Sequence, residues 1–264
     1  MAKIRLDQLV FDKGLAESRE KAKALIMSGQ IFLDGKRVDK PGMQVNEEAE
    51  IVLHGSSFPF VSRGGYNLDK ALKVFPVEPA GKVCIDCGAS TGGFTDVLLQ
   101  HGAKKVYAVD VGYGQLAWKL RNDPRVINLE RTNLRYVTSD QVADPIDLAV
   151  MDVSFISIKL ILPVVKNLLR ADADYICLIK PQFEAGREQV GKKGVVRDPS
   201  VHRQVIDSVL CSARSYGYSV LGLDYSPITG PEGNIEFICY LKNGLFSEPL
   251  ISIEDIVQKA HSEL

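Results

Sequence analysis

Residues Val83 to Thr95 constrain this chain more than any other stretch. A short apolar run, Val83-Cys84-Ile85, ends in Asp86, crosses the glycine-rich loop Cys87-Gly88-Ala89-Ser90-Thr91-Gly92-Gly93, and enters an amphipathic segment, Thr95 to Gln100. The order is strand, ligand loop, helix. Glycines let backbone approach a ligand closely, and a helix N-terminus offers free N–H groups to anions or carboxylates. Twenty-four residues after Asp86 a second apolar run, Lys105-Val106-Tyr107-Ala108-Val109, ends in Asp110. A carboxylate so placed accepts both hydroxyls of a ribose. The ligand therefore carries a nucleoside. The loop does not read G-x-G-x-x-G, the form that binds pyrophosphate in dinucleotide sites.

Strand and helix signals alternate around this loop in a doubly wound pattern. The spacing predicts strands at Val83–Asp86, Lys105–Val109, Val126–Leu129, Leu148–Asp152 and Tyr175–Ile179. It predicts helices near Leu68–Val74, Gly93–Gln100, Leu116–Arg121, Ile158–Leu169 and Pro199–Tyr216, the last with Asp198 as N-cap and Pro199 as first helical residue. Two further strands, Ser219–Leu223 and Ile235–Leu241, have only a Gly230-Pro231-Glu232-Gly233 loop between them, which implies a hairpin at the sheet edge. The fold class is thus α/β, Rossmann-like, with a seven-stranded, mostly parallel sheet and a small N-terminal α+β domain. The expected division is 1–58, 59–246 and a C-terminal tail, 247–264, whose end from Ser252 forms one helix. Gly55 to Phe60 reads as the linker.

Three polar residues fall beyond the carboxyl ends of strands, where this topology places ligands. Asp152 precedes Val153-Ser154-Phe155-Ile156-Ser157, Lys180 precedes Pro181-Gln182-Phe183-Glu184, and Glu236 opens the last strand. A lysine ending a buried strand is costly to desolvate unless it meets carboxylates. Asp152 and Glu236 are positioned to supply them, either as a reactive set or as an ion cluster tying strand ends together.

The first fifty residues form a separate pattern. Leu6, Leu9 and Val10 make one helical face closed by Gly14; Ser18 caps a second helix that turns Ala22, Leu25 and Ile26 inward and ends at Gly29. Ile31 to Val38 is a hairpin around Asp34-Gly35, and a further strand follows near Ile51 to Leu53. Through Lys40 there are nine Lys or Arg residues against six acidic ones.

Over the whole chain the net charge is −1. That excludes a generally basic nucleic-acid binder, so contact with RNA must come from local patches. No run approaches the roughly 18 apolar residues of a membrane span, and the N-terminus carries no apolar secretory core. Five cysteines, three of them in apolar runs (Cys84, Cys177, Cys239), read as reduced core thiols of a cytoplasmic protein. His54, His101, His202 and His261 show no metal-ligand spacing, so no metal is expected.

The glycine loop, of form D-x-G-x-x-x-G-G, resembles the S-adenosylmethionine loop of Rossmann-like methyltransferases. The run from Arg5-Leu6-Asp7 through Gly14-Leu15-Ala16, Ser18-Arg19, Asp34-Gly35 and Lys40-Pro41-Gly42 resembles the S-four RNA-binding module. Phe60-Val61-Ser62-Arg63-Gly64-Gly65, Glu130-Arg131-Thr132-Asn133, Asp152 to Ser157, Lys180 to Glu184 and Gly233 to Phe237 look like the TlyA group, haemolysin-like proteins with an FtsJ-type ribose methyltransferase domain. The resemblance implies an rRNA 2′-O-methyltransferase acting on ribosomal RNA or ribosomal subunits. It implies S-adenosylmethionine held by Asp86, Gly88, Ser90, Thr91, Gly92, Gly93, Phe94, Asp110 and Asp152, with Asn133 on the adenine side. RNA contacts are implied at Arg5, Arg19, Lys21, Lys23, Lys36, Arg37 and Arg63.

The group's signature is a Lys-Asp-Lys-Glu tetrad. Asp152, Lys180 and Glu236 match its last three members, but Asn67 stands where the first lysine normally follows Ser-Arg-Gly-Gly. Asn67 hydrogen-bonds without carrying charge or taking a proton. Lys70, one helical turn along, is the alternative cation for that space. Three activities remain open at this point. They are methyl transfer, RNA binding on a fold that has lost catalysis, and the membrane disruption that the group's name suggests.

Overall fold

Neighbouring residues of a strand face opposite sides of a sheet, so a strand covered on both sides is apolar throughout. The interiors of β6 (Val83–Cys87), β7 (Lys105–Val109) and β9 (Ile146–Met151), and β10 (Leu169–Ile179) from Tyr175 onward, are of this kind. Ile85, Tyr107, Ala149 and Cys177 enter one core cluster, while Cys84, Val106, Leu148 and Ile176 enter another on the opposite face. The structure, a computed structural model, describes residues 3–16, 18–53 and 59–264. Met1, Ala2, His54 and the linker residues Gly55 to Phe58 lie outside the described residues.

The elements fall into two units divided after Pro59. In the second, β8 (Val126–Leu129), β11 (Tyr218–Tyr225) and β12 (Phe237–Asn243) complete a seven-stranded sheet of order β11-β12-β10-β9-β6-β7-β8. β8, β7, β6, β9 and β10 run parallel, and β12 lies antiparallel between β10 and β11. The expected hairpin is therefore present, with its first strand at the edge and its second inside the sheet. The order reverses between β6 and β9, so the residues after those two strands open onto one crevice.

Helices α3 (Gly65–Val74) and α4 (Gly93–Gln100) cover one face; α8 (Pro199–Ser215) and α9 (Ile253–Glu263) cover the other. Asp198 accepts from Ser200 N and Pro199 opens α8, while Val201, Val205, Ile206, Val209 and Leu210 are buried at helical spacing. The tail set apart from residue 247 instead joins the second unit: Val257 and Ala260 of α9 are fully buried in its core. The segment Ile158–Leu169 is not one helix. It is a 3₁₀ turn at Ile158–Leu160, a short helix α6 (Leu162–Lys166) and the start of β10, after α5 (Trp118–Arg121) in chain order. Pro163 has no N–H to continue a helical ladder, and Leu169 is drawn into register with Ile146.

In the first unit, α1 (Leu6–Asp12) and α2 (Arg19–Met27) pack on Leu6, Leu9, Val10, Ala22 and Ile26. Ser18 caps α2 by accepting from Lys21 N. β2 (Ile31–Leu33) pairs with β3 (Lys36–Arg37) through a turn in which Asp34 and Gly35 both have positive φ, and with β5 (Ile51–Leu53) on its other side. A pairing not expected from sequence joins β1 (Lys3–Arg5) to β4 (Gln44–Asn46).

Asp7, fully buried, accepts two bonds from Arg5 at 3.0 Å and one from Arg19 at 3.2 Å. The Arg5 bonds hold its carboxyl down at about 2. A depressed carboxyl stabilises the fold above its ordinary value of 3.8, and that contribution fades as pH falls toward 2. Asp7→Asn should lower the stability of this unit by about 1–2 kcal/mol at neutral pH, after allowance for its half-exposed arginine partners. The difference should vanish near pH 2, read by amide exchange of Leu9 and Val10.

Candidate active site

The crevice is built from the loop after β6 upward. Asp86 is fully buried at the end of that strand, and its Oδ2 accepts from Thr95 N at 2.9 Å and Thr95 Oγ1 at 2.7 Å. This clamps the strand end to the first turn of α4. Asp86 Oδ1 has no partner. Burial pushes the carboxyl up to about 7 against the two Thr95 bonds, with the charges of Asp152 and Asp110 adding to the rise.

Two glycines are required by space. A Cβ on Gly88, which has φ +88°, would sit 2.6 Å from Asp152 O. One on Gly93 would sit 2.3 Å from Ser62 Oγ.

Three cavities adjoin here. The first, about 190 Å³, is lined by Asp86, Gly88, Ser90, Thr91, Gly93 and Phe94 of the loop, and by Asp152 and Lys180. The second, about 450 Å³, shares Gly88, Ser90 and Asp152 with it and extends over Asp110, Val111, Asn133, Leu134 and Ile156. Asp110 Oδ2 accepts from Ser90 N at 2.8 Å and Oδ1 from Gly112 N at 2.7 Å, which fixes the carboxylate at the rim. Asn133 Oδ1 caps a 3₁₀ turn by accepting from Arg135 N at 3.0 Å. The third cavity, about 400 Å³, is lined by Lys180, Gln182, Phe183, Lys193 and Glu236.

Lys180 borders the first and third cavities. Its Nζ lies 2.5 Å from Asp152 Oδ1, a close charge contact, and donates to Ser154 Oγ at 3.2 Å. Glu236 lies just before β12, 6% exposed, and accepts from Gln182 Nε2 at 3.0 Å. Burial raises its carboxyl above the usual range, against the charge of Lys180. The fold thus brings Asp152, Lys180 and Glu236 together from strand ends far apart in sequence.

Asn67 is not beside them. It is 3% exposed, lines none of the three cavities, and sits 2.6 Å from Ser226 Oγ. Lys70 does not fill that place either: its Nζ pairs with Asp224 at 3.1 Å and donates to Tyr225 O at 2.6 Å.

A residue overlooked in the sequence is Phe155. It is 90% exposed, has φ +64°, lines the second and third cavities, and its ring lies 5.0 Å from that of Phe183, tilted by 51°. Only its place just past a strand end marked it. Large apolar side chains rarely stand so far into solvent beside a ligand crevice without a partner to cover.

The model of the FtsJ-like methyltransferase family matches residues 60–243, which carry this crevice, and that of the S4 domain matches residues 4–51. The chain belongs to the FtsJ-like methyltransferase family. YqxC of Bacillus subtilis is 51% identical over 99% of this chain and 95% of its own length. The 16S/23S rRNA (cytidine-2′-O)-methyltransferase TlyA of Mycobacterium tuberculosis is 44% identical over 98% of this chain and 97% of its own. The solved structure of a hemolysin-like protein from Streptococcus thermophilus, 47% identical, superposes with a TM-score of 0.79 and covers 100% of this chain and 97% of that one.

The cofactor of an FtsJ-like methyltransferase is S-adenosylmethionine, and this crevice has the donors and acceptors for it. Asp86, whose Oδ1 is buried without a partner, lines the glycine-loop cavity, and the space at Gly88 admits backbone only. Among the described residues no cluster of His, Cys, Asp or Glu is arranged to hold a metal ion, and no helix is long and apolar enough to cross a membrane.

Of the expected RNA-contacting residues, Arg5 and Arg19 are engaged by Asp7, Lys23 pairs with Glu20 at 2.6 Å, and Lys36 lies in β3 with Arg37. Lys21 is in the first turn of α2. Arg63 is exposed, between the cavity-lining Ser62 and Gly64.

Asp110→Ala should weaken S-adenosylmethionine binding by about 1.5–3 kcal/mol, the scale of a hydrogen bond to a charged group. Gly88→Ala should weaken it further, because the loop must withdraw from Asp152. Calorimetric titration of both folded variants checks the order; equal affinities for Gly88→Ala and wild type would contradict it.

Proposed function

We propose that this chain transfers a methyl group from S-adenosylmethionine to a ribose 2′-hydroxyl of ribosomal RNA, in the cytoplasm. The observation that carries this reading is Lys180, standing where the glycine-loop cavity meets the cavity lined by Glu236 and Phe183. The family match and the rRNA methyltransferase activity in the name of the Mycobacterium tuberculosis relative support it.

S-adenosylmethionine supplies a sulfonium methyl group already activated toward an oxygen nucleophile. The work left to the protein is to hold a hydroxyl in line and to take its proton. Lys180 Nζ, fixed against Asp152, donates to the 2′ oxygen and orients its remaining lone pair. The hydroxyl proton passes to Glu236, whose burial raises its proton affinity. Phe155 offers its open ring to the base of the same nucleotide, since stacking on an aromatic side chain holds unpaired bases. Asp110 would hold the cofactor ribose, Asp86 its ammonium group, and Asn133 the adenine side.

The S4 unit grips structured RNA by shape and phosphate contact. Arg5, Arg19, Lys21, Lys23, Lys36 and Arg37 are its contributors in this reading. Arg5 and Arg19, half neutralised by Asp7, set the shape of that surface as much as its charge. The division of labour runs near residue 59, with the methyltransferase part extending to about residue 246 and beyond it to the helix that closes the core.

Lys180→Ala should cut methylation of ribosomal subunits by about a hundredfold, the scale of a reacting group left misplaced, with cofactor affinity unchanged. Glu236 must be ionised to accept the proton, so turnover should fall as pH drops through its raised value. The acid limb of the rate profile should lie above pH 4.5, the carboxyl's ordinary value, and vanish in Glu236→Gln. Mass mapping of ribosomal RNA with and without the protein reads the product directly. No new methyl mark on either subunit would refute the proposal.

A further inference from the structure

Between α3 and the loop that follows β11 lies a polar junction with no place in the mechanism so far. Asn67 and Ser226 are both buried, 3% and 0% exposed, in contact across 159 residues of sequence. Ser226 Oγ faces two oxygens, Asn67 Oδ1 at 2.6 Å and the carbonyl of Ile228, and accepts from Ile228 N at 3.1 Å. One hydroxyl has one proton, so it satisfies only one of those oxygens. Turning the Asn67 amide by 180° resolves the conflict. Its NH₂ then donates to Ser226 Oγ, and the hydroxyl proton goes to Ile228 O.

The junction is tied to the reactive groups at both ends. Ser226 N donates to Glu236 O at 2.8 Å, closing the loop that carries Glu236. Within that loop Gly230 N donates to Asn234 O, and a Cβ on Gly230 would stand 3.0 Å from Glu236 Oε1, so the carboxylate is seated tightly against the turn. At the other end Asn67 N donates to Gly64 O, and a Cβ added to Gly64 would stand 3.5 Å from Asp152 Oδ2.

Resting on the methyl-transfer reading, we infer that Asn67 is a positioning residue: as a donor to Ser226 it fixes the loop of residues 226–236 and so sets Glu236 beside Lys180. The position demands an N–H donor and not a charge. An ammonium at position 67 meets that demand, and so does an amide. A carboxylate of the same shape does not, because it leaves Ser226 with one proton between acceptors on two sides. The site therefore works with Lys180 as its cation, and Asn67 stands in for a lysine through the hydrogen bond alone. Lys180 from the end of β10 and Asp152 from the end of β9 act on the charge of Glu236, and Lys193 and Glu232 line the same cavity.

The test is steady-state methylation of ribosomal subunits by the full chain, with S-adenosylmethionine affinity measured alongside. Asn67→Lys should keep kcat within about threefold of wild type. Asn67→Asp should lower kcat by about tenfold to a hundredfold, as a displacement of about 1 Å at a reacting group does, at unchanged cofactor affinity. Ser226→Ala should act in the same direction and carries the test if Asn67→Asp does not fold. In a Glu236→Gln background Asn67→Asp should have little further effect, because the group it positions is gone. A kcat for Asn67→Asp equal to wild type, or the same factor of loss in both backgrounds, overturns the inference while leaving the methyl-transfer reading intact. An inactive wild type overturns both.

Discussion

The crevice depends on the approach of two strand ends at the point where the sheet changes direction. Gly88 and Asp152 follow neighbouring strands, and the backbone of one passes where a side chain of the other would be. Everything in the crevice is referred to that contact. Gly88 turns the chain so that Ser90 N reaches Asp110, and Asp110 in turn holds Gly112. Asp152, kept in place by the same approach, presents its carboxylate to Lys180. A residue with a Cβ at position 88 would displace the nucleoside end and the reacting end of the crevice together.

Electrostatics sharpens the arrangement. Three carboxylates, Asp86, Asp110 and Asp152, stand near one another; burial raises Asp86 to about 7, and the charges of Asp152 and Asp110 add to the rise. That is a costly way to cap a helix. It makes sense where the free oxygen has a positive group to receive. Glu236 is raised by burial as well, and it retains a cation nearby in Lys180. The two carboxyls are displaced in the same direction and serve opposite ends of the crevice.

Much of this was legible in the chain because it depends on local order. The strand, loop and helix around Gly88, the caps at Ser18 and Asp198, and the polar residues closing β9 and β10 are all set by neighbours a few residues away. What escaped is set by partners far off. Asn67 and Lys70 occupy one helix, yet their directions are decided by Ser226 and Asp224 about 155 residues later. Arg5 and Arg19 read as free charges because nothing local shows that Asp7 is buried between them. Helix periodicity ran through Ile158–Leu169 because the apolar pattern of a buried strand and of a helix overlap over so few residues.

The place of β12 has a consequence for the birth of the protein on the ribosome. β10 is complete in the chain by residue 179, but one of its edges stays open until β12 arrives some sixty residues later and slides in before β11. An open, apolar strand edge invites pairing with other chains. The long helix α8 and strand β11 emerge during that interval, so sealing the sheet is among the last events of synthesis. Glu236 enters with the strand that does the sealing. Glu236, and with it one wall of the cavity it shares with Lys180, is therefore among the last parts of the crevice to be synthesised.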